Sequence, residues 1–170
     1  DMKLAQIVQA LENLAPPALQ ESYDNSGLLV GNHQMEISGA LICLDSIEEI
    51  IDEAISKKCN LVIAHHPIVF KGLKSLTGKN YIERTLLKAI KNDIAIYAIH
   101  TNLDNVQQGV NAKIGQLLGI KNPQILQPKN QILEKLVTYC PVDQLEAVRD
   151  GLFAAGAGTI GNYSECSFDS

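Results

Sequence analysis

Apolar residues at Leu4, Ile7, Val8, Leu11 and Leu14 recur with the 3.6-residue period of an amphipathic helix over Lys3 to Leu14, and Pro16-Pro17 stops it. After a loop, Leu28-Leu29-Val30 and Gly39 to Leu44 read as short buried strands. Ser46, with Glu49 three residues on, has the form of a capping box opening a helix that runs to about Lys58. The alternation then repeats: Asn60 to Ala64 as a strand, Tyr81 to Asn92 as a helix, Ile94 to Ile99 as a strand, and Gly109 to Leu118 as a helix ended by Gly119.

Continuous apolar strands separated by helices of about a dozen residues predict an α/β fold, a parallel or mixed sheet flanked by helices with both faces covered. In such sheets ligands collect at the carboxyl edge of the strands. The predicted domain occupies residues 1–125, followed by a linker at 126–132 within a stretch that carries Pro123, Pro128 and several Gln. Residues 133–170 then hold a strand candidate (Leu133 to Cys140), a helix (Val142 to Ala155) and a last strand candidate (Thr159 to Phe168). So short a strand-helix-strand piece does not bury a core of its own, so the expectation is a second domain that is incomplete here.

The 170 residues are 46% hydrophobic and 19% charged, which excludes a wholly disordered chain. No apolar run approaches the roughly 18–20 residues of a membrane span, and the first residues carry no signal-peptide core. The four cysteines form no C-x-x-C pair, so reduced thiols and a cytoplasmic location are expected, and the Asn162-Tyr163-Ser164 sequon carries no weight. A net charge of −5 argues against a dedicated nucleic-acid binder. One stretch departs from that balance: between Lys71 and Lys91 six Lys and Arg face Glu83 alone, a segment able to attract an anion.

Candidate chemistry concentrates at strand ends. Three of the four histidines, His65, His66 and His100, fall there. Adjacent residues of an extended chain point opposite ways, so His65 and His66 suit two neighbouring metal ions better than one, with Asp104 as the nearest carboxylate. The alternative is that both histidines cap their strand and bond backbone carbonyls. Two His and one Asp are too few ligands for two ions, so other Asp or Glu, or residues beyond Ser170, would have to supply the rest. Lys71, Lys74 and Lys79 follow the His pair and are candidates for holding substrate phosphates, or else form a solvated loop. Asp24 and Asn25 lie in a turn-forming run ahead of a strand and are candidate substrate contacts. Two motifs are decoys. Gly156-Ala-Gly158-Thr-Ile-Gly161 matches a dinucleotide fingerprint but follows a helix and leads into a strand, and Gly78-Lys79 lacks the first Gly and the Ser/Thr of a phosphate loop.

Asp24-Asn25-Ser26-Gly27-Leu28-Leu29-Val30-Gly31, Ala64-His65-His66-Pro67-Ile68-Val69-Phe70 and His100-Thr101-Asn102-Leu103-Asp104, in this order and spacing, resemble the Nif-three-like family, whose members are described as GTP cyclohydrolase I type II homologues. The resemblance runs closely over about residues 2–125, and the tail is similar to the start of an inserted PII/CutA-like domain found in longer members. It implies a dinuclear centre of divalent ions (zinc, iron or manganese) on His65, His66 and Asp104. A His and a Glu from the family's C-terminal region would complete it, and they are absent here, so weak or missing metal is expected in this chain. It also implies a hydrolase acting on a nucleotide, GTP by resemblance. His100 would then support the ligands or transfer a proton, and the assembly would be a homohexamer. The rival expectation is a non-catalytic, metal-binding scaffold that regulates through protein partners.

Overall fold

The computed structural model describes residues 2–127, 135–160 and 163–168. The chain divides into two compact units, residues 1–126 and 127–170. In the first, β1 (Met2–Lys3) leads directly into α1 (Leu4–Leu14), and a 3-10 turn at Pro17–Leu19 follows. Next come β2 (Gly27–Val30), β3 (Glu36–Ile37), β4 (Ala40–Asp45), α2 (Glu48–Ser56), β5 (Leu61–His66), α3 (Tyr81–Lys91), β6 (Ala95–Ala98), α4 (Thr101–Asn105) and α5 (Val110–Leu117). The main sheet has the order β2-β6-β5-β4, while β1 and β3 form a small antiparallel pair of their own.

The sheet is mixed: β4, β5 and β6 run parallel, and β2 is antiparallel to β6 with an irregularity between Leu28 and Val30. Strand alternation divides the apolar side chains between two cores. Leu61, Ala95, Tyr97 and Ile99 pack with Leu4 and Val8 of α1, whereas Val62 and Ile96 pack with Ile51 and Ala54 of α2 and Leu86 and Ala89 of α3. Arg84 to Glu48 and Lys88 to Asp52, each 2.8 Å, also link α3 to α2. Exposed pairs of this kind contribute about 0–1 kcal/mol, less than the burial of one Leu or Ile, so packing holds the two helices to the sheet.

The α/β architecture agrees with the sequence expectation, and three local expectations need correction. β4 is an edge strand, with Ile42 79% and Leu44 60% exposed, so it is not buried and one sheet face is only partly covered. Ser46 does not cap α2: Ile47 occupies the N-cap, the helix starts at Glu48, and the buried Ser46 hydroxyl has no hydrogen-bond partner. The run His100 to Asp104 follows β6 as expected, and from Thr101 it winds into α4 with His100 at the N-cap. In the second unit the helix is present as a 3-10 turn, Val142–Gln144, and α6 (Leu145–Ala154). Residues 135–140 form no strand, and 159–168 show only an Ile160–Tyr163 bridge among the described residues. A strand needs a ladder partner, and none is supplied there. The remainder of the linker and strand candidates at 128–134, and Gly161 of the glycine decoy, lie outside the described residues.

Two positions show how local chemistry fixes this frame. Gly31, at φ 120° where β2 ends, approaches β6 so closely that a Cβ would lie 2.8 Å from that of Ala95. Glu83, 1% exposed in the first turn of α3, gathers the preceding loop onto one carboxylate oxygen: the Thr77 N–H (2.8 Å), the Thr77 hydroxyl (3.0 Å), the Gly78 N–H (3.0 Å) and the Lys79 N–H (3.3 Å). The Thr77 amide is the largest influence and, with the Thr77 hydroxyl and Lys79, overcomes desolvation to bring the Glu83 carboxyl down to about 2.

Gly31→Ala should destabilise the protein by about 2 kcal/mol or more in chemical denaturation, since it combines overpacking with a backbone angle that L residues avoid. The contribution of Glu83 is present above its unfolded value near 4.5 and is lost as pH falls toward 2. Wild type should therefore lose thermal stability more steeply over that window than Glu83→Gln; parallel melting-temperature profiles would show that the carboxylate does not hold the loop.

Candidate metal centre

The parallel strands β4 and β5 end on polar residues in register, Asp45 opposite His66, while β6 ends two residues before His100. Because β2 runs the other way, its lead-in, Tyr23 to Ser26, arrives at this same edge, with Gly27 opposite Ala98. Four separate stretches of chain thus meet at the carboxyl edge, where the open ends of the strands leave room for side chains to converge.

His65, His66 and His100 form one cluster, each offering a ring nitrogen within 4.8 Å of the others. Every Nδ1 is already engaged: His65 with the Ile99 carbonyl at 2.9 Å, His66 with Asp45 at 2.8 Å and His100 with Asp24 at 2.8 Å. A carbonyl or an ionised carboxylate can only accept, so Nδ1 carries the proton in each of these bonds, and in a neutral ring the lone pair is then on Nε2. Fixing Nδ1 on a carbonyl or carboxylate is the usual way a metal-ligating imidazole is oriented. The strand-capping alternative therefore holds for His65 as far as its Nδ1 is concerned, and that bond leaves its other nitrogen free to ligate. Asp104 on α4 faces His65 Nε2 at 3.9 Å, beyond hydrogen-bond distance and near enough to share a ligand.

Asp24 organises the far side. Its side chain has no exposed surface, and it accepts from His100 Nδ1, the Thr101 N–H (3.1 Å), the Thr101 hydroxyl and the Asn25 N–H (2.7 Å). Burial pushes the Asp24 carboxyl up, but the hydrogen bonds from His100, Thr101 and Asn25 outweigh it and hold it below its ordinary value. Thr101 in turn accepts the Glu21 N–H at 2.9 Å, and the buried Asn102 spans from the His100 N–H to the Ala15 carbonyl. Asn25 donates to the Val69 carbonyl, tying the β2 lead-in to the segment after the His pair.

Of the candidate residues, His65, His66, His100 and Asp104 come together, with Asp24 beneath His100 and Asn25 beside it. Lys71 and Lys74 are exposed on the loop beyond Phe70, and Lys79 lies 3.4 Å from both Ser75 and Glu83. Arg84 and Lys88 are paired with α2 acids, so the local basic surplus is largely committed. Asp45 and Thr101 escaped the sequence reading. A signal for Asp45 was present: an apolar run ending in a carboxylate parallels the apolar run ending in the His pair. His33 lies in an exposed loop.

No helix among the described residues is long and apolar enough to cross a membrane. The chain is 42% identical over 173 residues to a protein named GTP cyclohydrolase 1 type 2 homolog from Halalkalibacterium halodurans, covering 99% of this chain and 46% of that one. It is 41% identical to the protein of the same name from Bacillus subtilis, over 97% of this chain and 44% of that one. Among solved structures it matches a Bacillus cereus protein related to NIF3 with a TM-score of 0.72 at 38% identity, over 98% of this chain and 46% of that one. The chain thus spans about half the length of the curated relatives it matches. The Duf34/NIF3 (NGG1p interacting factor 3) description matches residues 2–169, and with these relatives it establishes that the chain belongs to that family.

Proposed function

We propose that this chain supplies the histidine side of a divalent-metal centre in a hydrolase acting on a nucleotide, with GTP as the first candidate from the relatives' name. The observation that carries this reading is the convergence of three imidazoles, each offering a ring nitrogen within 4.8 Å of the others, with every Nδ1 engaged by an acceptor. His65, His66 and His100 would hold the ion and Asp104 would complete or bridge its shell, a donor set suited to zinc, iron or manganese. Such an ion supplies Lewis acidity and lowers the pKa of water toward 7. A pair of ions requires more ligands than these four residues, from water, from substrate or from further protein.

The chain's own residues do the orienting. Asp24 and Asp45 hold the rings of His100 and His66 by their Nδ1 protons and place two negative charges behind them, which strengthens the imidazoles as donors. The Ile99 carbonyl does the same for His65 with a neutral acceptor. Lys71 and Lys74 are free to meet phosphate oxygens, whereas Lys79 would first have to leave Glu83.

Metal content by elemental mass spectrometry and GTP turnover, on wild type and His65→Ala after metal loading, test the proposal. In a protein extended to the full length of its relatives, wild type should retain metal and turn over GTP, and His65→Ala should lose both. Metal without turnover of any nucleotide would favour the scaffold reading, and no metal in either protein would make the histidines structural. Asp24→Asn should weaken metal binding about 10–100-fold in chelator competition, because His100 loses the acceptor that fixes its ring. Unchanged affinity would remove His100 from the ligand set.

A further inference from the structure

Aromatic residues are scarce in the first unit: Tyr23, Phe70, Tyr81 and Tyr97. Tyr97 is buried in the α1 core, and Tyr81 is exposed on α3. The other two meet at the histidine cluster. Phe70 lies 6.4 Å from the His100 ring in an edge-to-face arrangement, and Tyr23 lies 6.4 Å from Phe70 at a 44° tilt. Neither belongs to a core cluster, and they are 45% and 65% exposed. Two large rings held in water beside a polar site forgo the burial that gives aromatics most of their stabilising value.

Their backbones are nonetheless fixed. Tyr23 precedes Asp24, which is anchored by its four hydrogen bonds, and Phe70 follows Val69, whose carbonyl accepts from Asn25 Nδ2. The hydrogen bonds that orient His100 therefore also anchor the two segments that carry these rings. The 44° tilt makes the pair an open wedge and not a closed sandwich, so a planar ligand would lie against one ring.

From this geometry we infer that Phe70, flanked by Tyr23, is a stacking platform for a planar heteroaromatic ring, and that it sets the ligand class of the site as nucleobase-like. The inference rests on the hydrolase reading for its substrate and adds the group that recognises the base. Phosphate contacts alone do not distinguish a nucleotide from any other phosphate ester, whereas a π-face beside the histidines does. The platform tolerates any base, because every base has a π-face; it selects planar rings over sugars.

The test measures binding of GTP, ATP and ribose 5-triphosphate to the metal-loaded chain by equilibrium dialysis, in wild type, Phe70→Leu and Tyr81→Phe. Phe70→Leu keeps an apolar side chain of similar bulk and loses the ring; Tyr81, exposed on α3 outside the histidine cluster, is the control. Phe70→Leu should weaken GTP and ATP about tenfold and leave ribose 5-triphosphate unchanged, and Tyr81→Phe should bind all three like wild type. Equal losses for all three ligands, no loss for GTP and ATP, or no binding of either nucleotide would overturn the platform. Ring-current shifts of Phe70 and Tyr23 protons on adding guanosine provide a readout independent of metal and turnover. Metal-loaded protein of full length that shows these shifts but turns over no nucleotide would sink the hydrolase reading and leave the platform standing, while active protein without them would do the reverse.

Discussion

A carboxylate with no exposed surface joins the separate parts of this site. Asp24 sits where the antiparallel strand β2 begins, and its hydrogen bonds reach the His100 ring, the first turn of α4 and the following amide. A buried charge is tolerated only when its partners replace water, and here they do so well enough to hold the carboxyl below its ordinary value. The same partners that make the burial tolerable fix the third imidazole, so ring orientation and local stability are one interaction. Asp45 performs the matching task for His66 from the opposite edge of the sheet, in a more exposed setting.

The sheet makes this convergence possible by mixing strand directions. Three parallel strands deliver their carboxyl ends to one edge, and β2, running against them, delivers its amino end there. A wholly parallel sheet would carry the Asp24 segment to the other side. An opening lined by Gly31, Met35, Glu36, Asn60, Asp93 and Ile94 lies at the amino ends of β5 and β6, the end of the sheet opposite the histidine cluster.

Much of the frame could be read from the chain because apolar periodicity reports burial: α1, α2, α3, β5 and β6 all lie within a few residues of where the pattern places them. The His pair and His100 were recognisable as strand-end residues, and the motifs pointed to the family. Three things were not legible. Strand direction leaves no trace in hydropathy, so Asp24 could be seen only as a turn residue. An edge strand such as β4 has the same apolar letters as a central one, and only its neighbours reveal that Ile42 and Leu44 face outward. The capping pattern at Ser46 fits the letters of the motif, yet Asp45 is held in the ladder opposite His66 and the helix begins two residues after Ser46.

The spacing of the cluster along the chain has a consequence for how the protein is made. His65 and His66 are neighbours and present themselves as soon as their segment emerges, but His100 is held by a partner 76 residues earlier in sequence. Contacts across such separations form only after the loop between them has closed, which in this fold means after β6 has docked between β2 and β5. A nascent chain therefore carries two imidazoles without the geometry of three, and the complete donor set appears only with the finished sheet. Assembly of the fold in this way would also gate capture of the proposed ion.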